Sequence, residues 1–207
     1  MPLVAEEIPV GTWGRKTRWL TFTASDDGQV IGAHLVIWPP PFTVADATPP
    51  EFTVANMYMF AFIFVRMQHL LSFDLSKLRR TQFIVRARLK LRVLEIEDTD
   101  GATLVNDRFS WGTAPGSEDY EALSLSGLDG RVALASAPAP GSDVELECRR
   151  GQITRRINQF RLSCEQPGVP TGLNFSQFEP LSASDDAAPR LEVLVWDKAP
   201  LWQLGKE

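Results

Sequence analysis

The chain has 207 residues, of which 26 are acidic and 21 basic, giving a net charge of -5 and an isoelectric point near 5.2. This balance argues against a dedicated nucleic-acid-binding domain, because such domains are usually strongly basic. A hydrophobic content of 44% allows a sizeable core in a single domain. The most apolar run, residues 54–65, is too short to cross a membrane as a helix, which takes about 20 residues.

The two ends of the chain differ in character from the rest. The N-terminal stretch MPLVAEEIPVGTWGRK has no basic region followed by an apolar run, so it does not resemble a secretory signal. We expect a single domain at residues 18–197, with an N-terminal arm at residues 1–17 and a C-terminal tail at residues 198–207. Trp13 and Trp202 lie in these arms, where a subunit interface is the expected use of an aromatic side chain.

The distribution of prolines and glycines is typical of an all-β protein, because 15 prolines and 14 glycines separate short apolar runs. The predicted strands are residues 18–24, 29–37, 52–67, 70–73, 82–97, 103–107, 131–135, 143–147, 158–164, 173–178 and 190–196. The proline-rich segment 38–51 is predicted to be a loop, and the best helical stretch, CRRGQITRRI, is weakened by Gly151. This pattern predicts an all-β fold, specifically an antiparallel two-sheet β-sandwich of jelly-roll-like form.

Within residues 81–98, apolar and basic side chains alternate strictly from Val85 to Val93. One parity holds Arg86, Arg88, Lys90 and Arg92, and the other holds Val85, Ala87, Leu89, Leu91 and Val93. Successive side chains of a strand point to opposite faces of the sheet. The four cations, called here the cationic ladder, are therefore predicted to project outward above a buried apolar stripe.

The cationic ladder has two interpretations. One is a binding face for a uronic-acid or sulfated polymer, since the planar arginine fork holds carboxylates or sulfates at two points. The other is a solvated sheet face whose charges pair with acids on neighbouring strands, for which Glu145, Glu147 and Glu192 are the candidates. Such exposed cross-strand pairs stabilise the fold by only about 0.2 to 1 kcal/mol each.

Positive charge is concentrated in two stretches that contain no acid. Residues 75–94 add Lys77, Arg79 and Arg80 to the cationic ladder. The second stretch holds Arg149, Arg150, Arg155, Arg156 and Arg161. Local potential, rather than the net charge, would therefore guide an anionic partner.

Five motifs follow one another along the chain: LLSFDLSKL, VRARLKLRVLE, RFSWGTAPG, VELECRRGQITRRINQFRLSCE, and NFSQFEP followed by APRLEVLVW. In this order they resemble the DNRLRE-domain family of β-sandwich carbohydrate-binding modules. The resemblance covers roughly residues 18–197 and places Trp111 and Pro115 on the family's tryptophan-containing loop. It implies a non-catalytic, jelly-roll-like sandwich that binds polysaccharide or serves in adhesion.

Trp111 also has two interpretations. Sugar rings dock their apolar faces on exposed aromatic side chains, and Asn106, Asp107 and Arg108 precede Trp111 as candidate hydrogen-bond partners. The alternative is a tryptophan that caps one end of the sandwich core.

The remaining residue types give little support to redox, metal or catalytic chemistry. Cys148 and Cys164 are expected to be buried free thiols, although they would be able to pair if their strands were neighbours. The acidic turns at residues 26–28, 98–101 and 185–186 have the ordinary composition of hairpin turns, so no metal and no other cofactor is predicted. Two histidines without a nucleophile or phosphate motif do not predict an enzyme.

Together these features predict a non-catalytic carbohydrate-binding or adhesion module. The expected setting is a homo-oligomeric virion subunit, such as a phage head-spike or tail component, that contacts host surface polysaccharide. Its expected partners are polysaccharide, including anionic polymers, and other structural subunits, without nucleic acid or membrane insertion. Its expected location is extracellular or on a virion surface. The alternative is a purely structural virion decoration or adaptor protein that makes protein–protein contacts.

Overall fold

The fold is all-β and antiparallel, as the sequence predicts. In a computed structural model of the chain, the structure describes residues 7–8, 17–35, 38–46, 52–60, 63–120, 123, 125, 128–166, 168–184 and 186–197. Within these ranges the only helical elements are 3-10 turns, at Ser117–Tyr120, Leu134–Ser136 and Arg150–Gln152. None of the helices in this part of the chain is long and apolar enough to cross a membrane.

Thirteen strands make up the described sheet. They are β1 (Glu7–Ile8), β2 (Thr17–Thr23), β3 (Asp26–Leu35), β4 (Trp38–Asp46), β5 (Phe52–Phe60), β6 (Ile63–Asp74), β7 (Gln82–Asp98), β8 (Thr103–Arg108), β9 (Leu128–Ala133), β10 (Asp143–Cys148), β11 (Ile157–Glu165), β12 (Asn174–Phe178) and β13 (Arg190–Asp197). Most of the predicted strands are present within a few residues of their expected bounds.

Two predictions about the first third of the chain are wrong. The run 52–67 is not one strand, because β5 and β6 form an antiparallel pair in which Met57 lies opposite Val65. A run that is apolar at both parities has no period to mark the reversal. The proline-rich segment 38–51 is not all loop, since β4 occupies Trp38–Asp46. Within the described residues β4 pairs only with β3, and an edge position tolerates prolines that have no N–H to donate.

The longest strand, β7, connects the two parts of the sheet. Its first half lies between β13 and β10, and its last residues pair with β12. Beyond β12 the order continues through β5, β6, β11, β8 and β9, while β3 pairs with β6 on its other side. The sheet therefore curls, and side chains from both parts of it meet in one core.

Two β-bulges flank the cationic ladder. The register between β7 and β13 shifts at Leu194/Val195 and leaves Val85 as the extra residue. The register between β7 and β12 shifts at Gln177/Phe178 and leaves Leu94 as the extra residue. Val85 was predicted to point inward, but it is 38% exposed because the bulge removes it from the alternation. Bulges bend a strand and increase its twist, which helps β7 to pass from one part of the sheet to the other.

The main core contains the inward face of β7. Ala87, Leu89, Leu91 and Val93 are fully buried there. They pack with inward side chains of β2, β6, β10, β11 and β13. Replacing a buried leucine of this kind by alanine typically costs about 2–5 kcal/mol of stability, because it leaves a cavity.

The two cysteines lie in this core as free thiols, as predicted. Burial raises the pKa of the Cys148 thiol well above its usual range and raises the pKa of Cys164 to about 12. Both thiols therefore behave as small apolar side chains rather than as nucleophiles.

Part of the predicted N-terminal arm pairs with the domain. Glu7 lies opposite Arg18 and Ile8 opposite Thr17, so β1 adds a short strand to β2. Trp13, Trp202 and the predicted tail at residues 198–207 lie outside the described residues.

Candidate functional site

The cationic ladder lies on the outward face of β7, as its alternation predicts. The exposed fractions of its side chains are 57% for Arg86, 21% for Arg88, 18% for Lys90 and 28% for Arg92. Only Arg86 is therefore mainly in solvent. The other three are covered by neighbours on β10 and β13.

Those neighbours are carboxylates placed opposite the ladder by strand register. Glu145 of β10 lies opposite Lys90, and Glu192 of β13 lies opposite Arg88. Glu145 contacts Arg88 at 2.6 Å and Lys90 at 3.2 Å, and Glu192 contacts the same two cations at 2.7 and 3.3 Å. Arg88 and Lys90 thus share two carboxylates, so their charge is neutralised within the chain.

The same pairing continues at both ends of the ladder. Arg86 forms a salt bridge with Glu147, and Arg92 pairs with Asp143, which also holds Arg190 of β13. The Arg88 guanidinium lies 4.5 Å from the ring centre of Trp19 on β2. The three acids that the sequence offered as counterparts all pair with the ladder, and Asp143, which was not among them, pairs with Arg92. A direct role of the ladder in ligand binding stays a prediction.

Trp111 does not form an exposed platform, which corrects that interpretation of its loop. The side chain is only 6% exposed and packs in a second, smaller core with Val30, Leu70, Phe109 and Tyr120. This cluster lies on the side of β3 and β6 that faces away from the main core. A buried indole has no free ring face for a sugar.

Local contacts explain why the Trp111 loop folds onto the sheet. The backbone N–H of Trp111 donates to Gln159 Oε1 at 3.2 Å, and Gln159 Nε2 donates to the Gly112 carbonyl oxygen at 2.9 Å. The ring of Tyr120 lies directly on Gly32, where a Cβ atom would come within 2.3 Å of it. Only glycine at position 32 leaves room for this contact.

The polar residues before Trp111 are used inside the fold as well. Asn106 is fully buried, and its Oδ1 accepts the Gly130 N–H at 2.7 Å. Asp107 is 4% exposed and forms a salt bridge of 2.7 Å with Arg161. Arg108 donates to Asn158, and burial lowers its pKa. The polar groups of Asn106 and Asp107 are therefore covered and paired within the fold, and a sugar-binding role of Asn106, Asp107 and Arg108 stays a prediction.

A different surface brings the two basic stretches of the sequence together. The loop between β6 and β7 and the loop between β10 and β11 enclose an open depression of about 880 Å³, called here the basic depression. Its lining residues are Ser76, Leu78, Arg80, Phe83, Ile84, Ile153, Thr154, Arg155 and Arg156. Three of them are arginines, and none of these described lining residues is acidic.

Hydrogen bonds to backbone carbonyl oxygens hold the two loops of the basic depression in place. The Leu75 N–H donates to the Arg156 carbonyl oxygen at 3.1 Å, and Arg155 Nη2 donates to the Gln82 carbonyl oxygen at 2.6 Å. The fully buried Asn158 donates to the carbonyl oxygens of Thr154 and Arg156 at 2.9 and 2.8 Å. The frame of the depression is therefore built before any ligand arrives.

The charges of the basic depression are not neutralised within the described chain. Arg80, Arg155 and Arg156 are exposed, and no carboxylate of the described residues lies within 4.0 Å of their side-chain nitrogens. The same holds for Lys77 and Arg79 on the adjoining loop. The acid nearest in sequence, Asp74, accepts the Ser76 N–H at 2.8 Å.

An aromatic pair forms one rim of the basic depression. Phe83 is 39% exposed, and its ring lies 5.3 Å from that of Trp196 at an interplanar angle of 32°. The buried side chains of Leu78 and Ile153 add an apolar part to the lining. The depression thus combines an exposed ring, an apolar floor and free cations.

Sequence reasoning missed this site. It identified both basic stretches but not their contact, and it singled out neither Phe83 nor Ile153. The only available signal was the absence of acids from both stretches, because their meeting depends on how β6, β7, β10 and β11 are arranged.

Other chemistry-bearing groups of the described chain do not assemble a second centre. No group of three or more His, Cys, Asp and Glu side chains in this part of the chain is arranged to hold a metal ion. His69 is fully buried, stacks on Phe52 at 3.8 Å and lies 3.4 Å from Asp27. Burial lowers the pKa of His69, although Asp27 opposes this effect.

Comparison with known proteins adds no family assignment. No protein-family model matches the chain, and no curated protein matches it. The resemblance to the DNRLRE-domain family stays a prediction.

Proposed function

We propose that this protein is a non-catalytic carbohydrate-binding module, built as a jelly-roll-like β-sandwich on the plan of the DNRLRE-domain family. The observation that carries this proposal is the exposed ring of Phe83, which packs at a tilt against Trp196 at the rim of the basic depression. Aromatic rings accept the apolar faces of sugars, and neighbouring polar groups fix their orientation.

The form of the depression supports a polymer ligand. It is open rather than enclosed, so a long chain is able to pass through it with both ends in solvent. Thr154 and Ser76 supply hydroxyl groups beside the arginines, and these groups suit the hydroxyls of a sugar. Binding of this kind needs no general acid, base or metal.

The proposed setting is a virion subunit, such as a phage head-spike or tail component, that contacts host surface polysaccharide. It is supported by the sequence alone, through the aromatic residues of the terminal arms. Light scattering of the purified full chain tests it, because a subunit of such an assembly is expected to form a homo-oligomer. A strict monomer at all concentrations would remove this part of the proposal.

The experiment that tests sugar binding is affinity electrophoresis of the full chain in gels containing neutral or anionic polysaccharides. The wild type is expected to be retarded by at least one polymer. Phe83→Ala is expected to weaken this binding by about threefold to tenfold, the usual value of an aromatic contact. Leu94→Ala is the matched control, since Leu94 is equally exposed, at 40%, at the other bulge of β7.

Two outcomes would oppose the proposal. Equal weakening by Phe83→Ala and Leu94→Ala would show that Phe83 has no special role. Failure of the folded wild type to bind any polymer would favour the purely structural virion decoration or adaptor protein.

A further inference from the structure

The two cationic surfaces of this protein differ in what their charges contact. In the cationic ladder and its neighbour Arg190, the positive charges share the carboxylates of Asp143, Glu145, Glu147 and Glu192. In the basic depression, Arg80, Arg155 and Arg156 have no carboxylate neighbour among the described residues. The free positive potential of this face is therefore concentrated in the depression.

We infer that the basic depression, and not the cationic ladder, binds the carboxylate or sulfate groups of an anionic polysaccharide. This inference rests on the proposed function and names its ligand class and contact residues. Arg80, Arg155 and Arg156 hold the anionic groups, while Phe83 contacts the apolar face of a sugar ring.

The arrangement of the arginines suits this role. A guanidinium group offers donors in a planar fork that matches a carboxylate or sulfate. Arg155 is already oriented by its hydrogen bond to the Gln82 carbonyl oxygen, so less side-chain freedom is lost when a ligand binds. The buried Leu78 and Ile153 lower the local polarity, which strengthens the attraction between unlike charges.

The ladder is the weaker candidate for the same ligand. An anionic polymer at Arg88 or Lys90 would have to displace Glu145 and Glu192, which lie within 3.3 Å of these cations. The displaced carboxylates would remain beside the polymer and repel it. The nearby acids also oppose a long nucleic acid, which needs many phosphate contacts and usually a basic domain.

The test compares two double variants that remove the same charge. Arg155→Ser with Arg156→Ser changes the basic depression, and Arg86→Ser with Arg131→Ser changes two exposed arginines that pair with Glu147 and Glu165. Arg80→Ser with Arg156→Ser is the second depression variant, because it keeps the hydrogen bond from Arg155 to Gln82. Thermal unfolding confirms that each full-length variant is folded.

The probes are dextran sulfate, polygalacturonate, neutral dextran and a single-stranded DNA of matched length, at about 0.05 and about 0.5 M NaCl. The wild type is expected to bind the sulfate or carboxylate polymer at low salt and to release it at high salt. Each depression variant is expected to lose about tenfold or more in affinity, as for one charge-assisted hydrogen bond or more. The Arg86 and Arg131 control is expected to stay within about twofold of the wild type, because exposed pairs contribute little.

The outcomes separate this inference from the proposed function. Equal losses in the depression variants and the control would show that binding follows net charge alone, and the inference would fail. Binding that is weakened by Phe83→Ala but not by the arginine variants would overturn the inference and leave the proposed function standing. Tighter binding of DNA than of either anionic polysaccharide would assign the depression to nucleic acid. No binding of any polysaccharide would remove the proposed function itself.

Discussion

The cationic ladder and the basic depression use the same residue types with opposite results. In the ladder, strand register places a carboxylate of β10 or β13 opposite three of the four cations, as Glu145 lies opposite Lys90, and Arg86 reaches the neighbouring Glu147. In the depression, the arginines lie on loops, where no partner strand fixes what lies opposite them. The difference shows that the number of basic residues does not identify a binding face. What matters is whether the fold also supplies their acids.

The ladder and the depression also differ in whether their charges contribute to stability or to binding. Charges that are paired and partly buried contribute to the folded state, whereas unpaired charges on a fixed frame are available to a partner. The ladder is therefore expected to respond to mutation mainly in stability and the depression mainly in affinity. The following changes test this division, from the largest expected effect to the smallest.

Removing one shared acid of the ladder should destabilise the fold. Glu192→Gln takes a carboxylate from both Arg88 and Lys90, and the Glu192 side chain is only 14% exposed. We expect the free energy of unfolding in urea to fall by about 1–3 kcal/mol, the usual cost of leaving a charged hydrogen-bonding group without its partner. Glu147→Gln is the control, since Glu147 is 49% exposed and pairs with the exposed Arg86. Equal losses of unfolding free energy in the two variants would show that burial of the carboxylate does not determine its contribution to stability.

Removing the carboxylates that neutralise the cationic ladder should create a second anion-binding face. In Glu145→Gln combined with Glu192→Gln, Arg88 and Lys90 lose both of their carboxylates. We expect the affinity for dextran sulfate at low salt to rise by about tenfold, as for one new charge-assisted hydrogen bond. Isothermal titration calorimetry would measure the affinity and the number of sites. An unchanged affinity in a folded variant would show that neutralisation is not what keeps the ladder inactive.

Exchanging the guanidinium of the depression for an ammonium should test the fork geometry. Arg156→Lys keeps the charge but removes the planar pair of donors. We expect the affinity for a carboxylate polymer to fall by about threefold, less than for Arg156→Ser. Arg131→Lys, at a paired and exposed position, is the matched control. If Arg156→Lys binds as well as the wild type, the depression recognises negative charge without depending on the planar geometry of the guanidinium group.

Mild acid should affect the fold before it affects the depression. The pKa of His69 is lowered by burial, so the unfolded chain takes up a proton below about pH 6.5 that the folded chain does not accept. The stability from His69 is therefore complete above that pH and decreases as the pH falls further. Arginine stays charged throughout, so polymer binding by the folded protein should be unchanged.

Urea unfolding at about pH 7.5 and about pH 5.5 measures this effect. His69→Gln should reduce the difference between the two pH values, while the change in dextran sulfate affinity stays small. An identical pH difference in His69→Gln and wild type would assign the acid sensitivity to another group.

The sequence predicted much of the strand pattern and the placement of the cationic ladder, but not the basic depression. The alternation of residues 86–93 placed the ladder outward, because a period of two depends only on local geometry. Glu145, Glu147 and Glu192 were candidate counterparts, but which acid meets which cation depends on the register of β10 and β13. The hairpin of β5 and β6 was missed, since an apolar run contains no such period. Both the correct placement of the ladder and the missed hairpin therefore follow from the local sequence pattern.

The burial of Trp111 and the basic depression were not predicted, because both depend on contacts between distant segments. Trp111 has polar neighbours in sequence, but it is buried in a cluster with Val30 and Leu70, which lie far away along the chain. The basic depression likewise requires the Arg156 carbonyl to meet the Leu75 N–H. No pattern within a single segment encodes either contact.

The bulge at Val85 changes which side chains of β7 share a face of the sheet. Phe83 and Arg86 are three positions apart, which in a regular strand would put them on opposite faces. With the extra residue, both lie on the outer face, opposite Trp196 and Leu194 of β13. Pairing Val85 regularly with β13 would turn Phe83 toward the core and Ile84 toward solvent, whereas deleting Val85 would leave Phe83 and Arg86 two positions apart and on the same face. The bulge, more than the identity of its extra residue, thus determines whether the aromatic rim and the charged face form a single surface, so a further insertion here should be less tolerated than a substitution of Val85.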